Sequence, residues 1–313
     1  MVSGKGGTGK TTVAAAMAVA AARGGRRVLL AETEGRDDAS VSRLLDLPPP
    51  GFEERPTPWG FSLLSITPRE ALLEYLWLFL RVRSLSRTLA RSNVVDVVTD
   101  GVPGFRDSMV AGKLYELTWH RDIRGDPARP PFDQVVVDAP PTGQLLGFLS
   151  APRAYRDIIR AGRAHRQLSA IDRLVREQSR VVLVTAPEEM SVAETLETVE
   201  ALRADGFPQP VIVANRIRAP VFPKGAGAAG SRLTSRAVVA ILRGCGVDVS
   251  DDQAAELLAV ARDEDARVRT EHRRLVELRA AAPVIELPLV ATTSFGRDEV
   301  IGLAAAFEAG GGR

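Results

Sequence analysis

A glycine-rich segment at the start of the chain, GKGGTGKTT at positions 4–12, constrains the fold more than any other feature. It fits the pattern G-x-x-x-x-G-K-[ST] through Gly4, Gly9, Lys10 and Thr11. Glycines let successive backbone N–H groups curl around a phosphate, and the positive end of the following helix adds to the attraction. The pattern therefore predicts a phosphate-binding loop that opens a helix.

The polar side chains of this loop each have a physical task. Lys10 is expected to reach the β- and γ-phosphate oxygens of a nucleotide, and Thr11 offers a hydroxyl to Mg²⁺. The alternative, a glycine-rich tail before a helix, explains neither lysine nor the paired threonines. The segment predicts ATP and Mg²⁺ as ligands. The loop residues predicted to bind the nucleotide are Gly4, Gly6, Gly7, Thr8, Gly9, Lys10, Thr11 and Thr12.

Short apolar runs recur along the chain and predict the strands of a sheet. Helical patterns lie between several of them, and this alternation implies an α/β fold with a doubly wound, mostly parallel sheet covered on both faces. We expect a polar loop over 32–40 and a proline-rich connector over 48–58. The predicted strands are 1–3, 27–31, 61–66, 134–137, 181–185, 211–214 and 284–287.

The chain is predicted to form one P-loop domain over residues 1–313 with two helical additions. Residues 67–126 have a helical period and are read as an inserted all-helical subdomain, and residues 219–280 hold a further helical segment before the last core strand. Within the insertion, residues 71–80 (ALLEYLWLFL) are apolar nearly all round, so this helix must be covered by something. Ordinary packing within the insertion and an apolar partner are both open.

Composition narrows the surroundings in which the chain is expected to work. The formal net charge is +2 with charges interleaved, which argues against a nucleic-acid partner. Cys245 is the one cysteine, so no internal disulfide can form, and a reducing cytoplasm fits. No apolar run reaches the length of a membrane span and no signal-peptide pattern opens the chain, so we expect no stable membrane insertion. Few residues precede the loop, so the natural start is expected upstream.

Asp138 follows the apolar run 134–137 and begins the segment DAPPTG. A carboxylate at the end of a buried strand suits a Walker B role, in which it holds Mg²⁺ through water, and the following loop suits a switch that senses the γ-phosphate. The alternative for an isolated aspartate here is a turn or a helix cap. Paired with the loop at Gly4, Asp138 is predicted to be a metal site together with Thr11.

Lys5, one residue after the first glycine, makes the loop resemble a deviant Walker A motif. Such a lysine is typical of the ArsA-type arsenite-pump ATPases, the guided-entry ATPases that deliver tail-anchored membrane proteins, and the MinD/ParA group. In those families it crosses a dimer and touches the partner's phosphates, where a cation neutralises charge that develops in phosphoryl transfer. The resemblance implies the same catalytic role for Lys5; the alternative is a solvated loop lysine.

Later segments carry the same resemblance. DAPPTG is similar to the DTAPTGH segment of the ArsA-type and guided-entry ATPases, with Gln144 in place of its histidine, and residues 185–202 resemble the strand-to-helix segment that follows. The resemblance implies nucleotide contacts by Thr142 and Gly143. It also implies an adenine-reading Asn215, whose alternative is a turn-forming role. The other residues implied on the adenine side are Pro288 and Leu289.

The sequence departs from this family at several positions. Glu34 stands where the family has the aspartate that orients the attacking water, and Asp37 and Asp38 are possible substitutes. The longer glutamate arm moves the carboxylate, and a misplacement of that order can cost about 100-fold in rate. Arsenite capture needs several thiolates, and Cys245 is alone. The zinc-binding cysteine pair of guided-entry dimers is also missing.

Three functions follow from these observations. The first is an ATPase that works as a homodimer or as a heterodimer with a paralogous ATPase. Each chain has one Walker A motif, so a dimer that encloses two nucleotides between its subunits needs a second chain. This ATPase is expected to act on an apolar protein client at the helical insertion. Water attacks the γ-phosphate directly. The second is a low-turnover regulatory subunit, which Glu34 favours. The third is a partitioning or membrane-surface ATPase. It would need a basic patch for DNA or an amphipathic C-terminal helix, and the sequence at 307–313 predicts neither.

Overall fold

An eight-stranded sheet runs through the centre of the computed structural model. The structure describes residues 1–33, 40–80, 104–118, 132–222 and 233–308. The strands are β1 (Val2–Gly4), β2 (Val28–Glu32), β3 (Arg55–Pro56), β4 (Phe61–Ser65), β5 (Gln134–Asp138), β6 (Val182–Thr185), β7 (Val211–Ile217) and β8 (Val284–Pro288). Their order is β3-β4-β2-β5-β1-β6-β7-β8, and only the β3–β4 pair is antiparallel.

Helices cover both faces of this sheet. The helices of the described residues are α1 (Lys10–Arg23), α2 (Ser40–Leu44), α3 (Pro68–Leu80), α4 (Phe105–Thr118), α5 (Thr142–Ile158), α6 (Gly162–Arg173), α7 (Glu189–Ala204), α8 (Ser235–Gly244), α9 (Asp251–Ala281) and α10 (Arg297–Glu308). A π-helical turn, Leu174–Gln178, continues α6. Within the described residues, every helix falls short of the length and apolar character that a membrane span needs.

The alternation of side chains along β2 shows how the sheet separates two cores. Leu29 packs in the cluster that includes residues of α4, α5, α7 and α9, whereas Val28 and Leu30 pack in the cluster formed with α1, α2 and α10. Successive strand residues point to opposite faces, so a strand buried on both faces is apolar at most of its positions. The continuous apolar runs predict a parallel sheet that is covered on both faces, and the predicted α/β fold class is confirmed.

The structure corrects three details of the predicted elements. Glu32 is the last residue of β2 rather than part of a polar loop, and it is buried because its Oε1 accepts the Val41 N–H at 2.9 Å. The proline-rich connector contains β3, which pairs with β4. Residues 144–180, for which no element was predicted, form most of α5 together with α6 and the π-helical turn.

Both outer strands of the described sheet carry a proline that removes an outward-facing donor. Thr57, just after β3, donates its N–H inward to the Phe61 carbonyl at 2.9 Å, and Leu289, just after β8, donates inward to the Ile217 carbonyl at 2.8 Å. Successive N–H groups of extended backbone face opposite sides, so the preceding positions face away from the sheet. Those positions are occupied by proline, at Pro56 and Pro288.

The predicted helical insertion, 67–126, contains α3 and α4, while its residues 81–103 and 119–126 lie outside the described residues. The predicted segment 219–280 contains α8 and most of α9, and its residues 223–232 are likewise outside them. Both domain boundaries stay predictions. A buried lysine joins the two helices of the insertion: Lys113 on α4 contacts Glu74 on α3 at 2.6 Å and Glu116 at 2.9 Å.

Replacing Lys113 with methionine is expected to lower the free energy of unfolding by about 3 kcal/mol, because it removes the cation on which two largely buried carboxylates converge. The exposed pair of Arg203 with Glu200 is the matched control, and Arg203→Ala should cost less than about 1 kcal/mol. Urea unfolding of the three proteins measures both values. Equal losses for the two variants would show that the buried pair is no more important than the exposed one.

Candidate nucleotide-binding site

The glycine loop lies between β1 and α1, and two of its glycines have backbone angles that other residues rarely adopt. The φ angle is +84° at Gly7 and +95° at Gly9. At Gly4 the reason for glycine is space, since a Cβ there would lie 2.1 Å from the Val184 carbonyl oxygen. A Cβ at Gly6 or Gly7 would meet nothing within 4 Å. The rim of the loop is therefore open, and a group of phosphate size can approach the backbone.

Hydrogen bonds within the loop, and one from Asn215 on β7, hold the loop in shape. Thr8 donates both its hydroxyl, at 2.8 Å, and its backbone N–H, at 3.3 Å, to the Lys5 carbonyl. Asn215 donates its side-chain amide to the Thr8 carbonyl at 2.9 Å, and a Cβ at Gly9 would lie 2.5 Å from the same nitrogen. Asn215, which was predicted to read adenine, thus braces the loop in this structure.

Lys10 and Thr12 stand in the first turn of α1, directly after Gly9. Gly9 makes no side-chain cap, so the first N–H groups of the helix face the loop. Among the residues that the structure describes, Lys10 forms no ion pair, and its side chain is partly exposed. A helix N-terminus with an adjoining ammonium group forms an attractive site for a phosphate anion.

The two predicted metal residues are in direct contact. The Thr11 hydroxyl donates to Asp138 Oδ2 at 2.7 Å, which joins the start of α1 to the end of β5 across 127 positions of sequence. Asp138 is 8% exposed. Mg²⁺ prefers oxygen ligands and keeps several waters, and it is usually bound by one or two protein oxygens together with phosphate. The donor set therefore fits Mg²⁺. Among the described residues no three acidic, histidine or cysteine side chains converge on a metal site.

A third group of polar residues meets beside the loop. The Lys5 ammonium is 3.5 Å from Glu194 Oε2, and the Thr142 hydroxyl donates to Glu194 Oε1. Glu194 belongs to α7, Thr142 begins α5, and Lys5 lies in the loop. Gly143 follows Thr142, and a Cβ there would meet nothing within 4 Å. The predicted switch residues Thr142 and Gly143 are thus close to the loop through Glu194.

The predicted adenine-side residues lie at the ends of β7 and β8. Pro288 pairs with Ile217, and the register shifts between Ala214 and Ile217, which marks a β-bulge. Within the bulge Arg216 has a φ of +62°, unusual for a residue with a side chain. Arg216 and the half-exposed Leu289 line one cavity of about 520 Å³. Bulges beside a site re-aim side chains, and here the bulge turns Asn215 toward the loop.

The structure brings together most of the predicted residues at the carboxyl ends of the strands, where parallel α/β sheets bind ligands. Glu34, predicted to orient water, lies outside the described residues, as do Asp37 and Asp38. Sequence reasoning missed Glu194 and the buried Glu32, which pairs in register with Asp138. The sequence signal that could have found Glu32 is its position directly after an apolar run, the same position that Asp138 has on its own strand.

This chain is similar to proteins that are known as ATPases. The family model described as "Anion-transporting ATPase" matches residues 1–180. The ATPase BagA of Mycobacterium tuberculosis is 35% identical over 299 residues, which are 93% of this chain and 86% of that protein. The arsenical pump-driving ATPase of Acidiphilium multivorum is 27% identical over 233 residues, which are 69% of this chain and 38% of that protein.

Proposed function

This chain belongs to the family of anion-transporting ATPases and is an ATP-hydrolysing enzyme, and from that premise we propose that it binds Mg-ATP at residues 4–12 and hydrolyses it in a sandwich of two chains. The observation that carries the proposal is the 2.7 Å hydrogen bond between Thr11 and Asp138. It joins the phosphate loop to a buried carboxylate at the neighbouring strand end, and these two oxygen-bearing side chains would suit a bound Mg²⁺.

The chain's own residues supply the contacts for phosphoryl transfer. The open backbone at Gly6 and Gly7 can approach the β-phosphate, and the Lys10 ammonium would neutralise charge on the β- and γ-phosphate oxygens. Thr11 and Asp138 would hold Mg²⁺, which neutralises charge on those oxygens when bound. Glu34 is proposed to orient a water for direct attack on the γ-phosphate, without a covalent intermediate.

The adenosine end of ATP would lie toward the bulge in β7. Leu289 offers a half-exposed apolar surface there, next to Pro288, and the buried Asn215 belongs to the neighbouring strand β7. The Asn215 amide is engaged by Thr8 and by the Arg216 N–H. We propose that its remaining donor and acceptor capacity reads the adenine edge while its contact with Thr8 keeps the loop in shape.

A second chain is proposed because each chain has one phosphate loop and Lys5 lies in it at the position of the lysine that crosses a dimer in similar ATPases. In a two-fold sandwich, each site would combine Lys10 of one chain with Lys5 of the other, and the partner is a second copy or a paralogous ATPase. Lys5 is 37% exposed, so its ammonium is accessible to a partner that approaches the strand ends.

Movement at the site would act on a protein client through α5. This helix begins at the predicted switch residue Thr142 and, at about 25 Å in length, ends beside an apolar cavity of about 260 Å³. Tyr75, Phe105 and Tyr155 are among the residues that line this cavity, from α3, α4 and α5. We propose that nucleotide state shifts α5 and so changes the shape of the helical region for an apolar client.

Complementation between two inactive variants tests the sandwich. Lys5→Ala and Lys10→Ala, each inactive alone, should recover about a quarter of wild-type turnover when mixed in equal amounts, because half of the dimers are mixed and one of their two sites has both lysines. Steady-state phosphate release measures the recovery. The control is each variant mixed with wild type. A mixture with no more activity than its separate components would show that Lys5 does not act across a dimer of this chain.

Glu34 in place of an aspartate favours one alternative, an ATP-binding regulatory subunit with little turnover that pairs with a paralogous ATPase. The two candidates differ in the concentration dependence of hydrolysis. A self-sufficient sandwich should gain turnover per chain as the protein concentration rises through the dimer dissociation constant. Tight ATP binding without turnover at any concentration would support the regulatory subunit instead.

A further inference from the structure

Glu194 contacts two of the residues that are predicted to bind nucleotide. Its Oε2 lies 3.5 Å from the Lys5 ammonium, and its Oε1 accepts a hydrogen bond from the Thr142 hydroxyl. Lys5 and Thr142 are 137 positions apart and belong to the loop and to the start of α5. One carboxylate on a third element therefore holds both groups at the same time.

The helix that carries Glu194 is firmly attached to the sheet. On its first turn, the Ser191 hydroxyl is 2.9 Å from the Thr185 hydroxyl at the end of β6, and it accepts the Ala186 N–H at 3.3 Å. Ser191 and Thr195 are both buried. Glu194 thus projects from a fixed element, whereas Lys5 is in a loop and Thr142 is the first residue of its helix.

The charges make this arrangement a competitor of the nucleotide. A γ-phosphate attracts the Lys5 ammonium and the Thr142 hydroxyl, and it repels the Glu194 carboxylate. The Thr142 hydroxyl has one proton, so it cannot donate to a phosphate while it donates to Glu194, and the contact with Glu194 partly neutralises the charge that Lys5 could offer to a phosphate. The Lys5–Glu194 pair is about one-third exposed on each side, and ion pairs of this exposure are weak. The Lys5–Glu194 contact is therefore weak enough for a phosphate to take the place of Glu194.

We propose that Glu194 is a positioning residue that holds Lys5 and Thr142 in a resting arrangement within one chain and, when ATP binds, releases Thr142 to the γ-phosphate of its own chain and Lys5 to that of the partner chain. This inference rests on the proposed function, in which Lys5 contacts the nucleotide of the partner chain, and on the predicted switch role of Thr142. The consequence is a lower affinity for ATP, because ATP must separate Glu194 from its two partners. ADP has no γ-phosphate, so its affinity does not carry this cost.

The test is Glu194→Gln, which keeps the shape of the side chain and removes its charge. Binding of a non-hydrolysable ATP analogue, measured by calorimetry in the presence of Mg²⁺, should become about two- to fivefold tighter, while ADP binding is unchanged. Adding Lys5→Ala to this variant should remove most of the gain. The ratio of the two affinities is the readout, because a merely structural change at Glu194 would move both ligands together.

Glu197→Gln is the matched control, since Glu197 is an exposed carboxylate one turn further along the same helix. It should leave the ratio of ATP-analogue to ADP affinity unchanged. An unchanged ratio in Glu194→Gln, or a weaker preference for the ATP analogue, would overturn the resting arrangement. Failure of the proposed function has a different signature: the wild-type protein would not bind the analogue, or Lys10→Ala would bind it as tightly as wild type does.

Discussion

Lys10→Ala is expected to lower ATP turnover by about 1000-fold, since the variant lacks the ammonium beside the β- and γ-phosphate oxygens. Lys10 stands at the start of α1, where backbone N–H groups and the helix dipole already favour an anion, and its charge adds to theirs in the same direction. Alanine is a good helix former, so the change should leave α1 in place. Steady-state phosphate release at saturating Mg-ATP measures the loss.

The stability of the variant is the control for this result. Within the described residues Lys10 forms no ion pair, so the melting temperature of the Lys10→Ala variant should stay within a few degrees of the wild-type value. A loss of activity at unchanged stability would assign the effect to the phosphate contact. Turnover above about a tenth of the wild-type rate would contradict the role of Lys10 in charge neutralisation.

Asp138→Asn should raise the Mg²⁺ concentration for half-maximal activity by about 100-fold, because it removes a negative charge next to the metal while it keeps the shape of the side chain. The carboxylate accepts the Thr11 hydroxyl at 2.7 Å and is almost fully buried, so water screens its charge weakly. A titration of ATPase activity with Mg²⁺ at fixed ATP measures the shift. Thr11→Ala should shift the same curve in the same direction.

Asp133→Asn provides the comparison for this effect. Asp133 lies just before β5, at the other end of the strand that ends in Asp138, where it forms an exposed ion pair with Arg27. The same loss of charge at that end of the strand should leave the Mg²⁺ titration unchanged. If Asp133→Asn and Asp138→Asn shift the titration equally, the effect is one of net charge, and Asp138 is not the metal residue.

The glycine loop and the strands could be predicted because their signals are local. In the loop, a backbone angle at Gly9 and the space at Gly4 each demand a glycine, and both needs appear in the order of residues. The strands are continuous apolar runs because both faces of the sheet are covered. Asp138 could be placed because it directly follows such a run.

The remaining residues of the site depend on contacts that no short segment contains. Glu194 meets Lys5 and Thr142 only after three elements have packed together, and in the sequence it is one of several acids in a helical pattern. The sequence predicts a loop at Glu32 because a buried glutamate is rare, and its partner, the Val41 N–H, lies nine positions away. Arg216 adopts its unusual backbone angle because β7 bulges against β8, which periodicity does not reveal.

The prolines on the two outer strands have a consequence for how chains can associate. An unprotected edge strand recruits further strands, either as a continuous intermolecular sheet or as an aggregate. Pro56 and Pro288 each leave a gap in the row of donors that such a recruited strand would need. Lateral β-augmentation is therefore disfavoured at both margins of the described sheet, so the proposed pairing of chains across the strand termini, where the phosphate loop lies, meets no competition from pairing at the sheet edges.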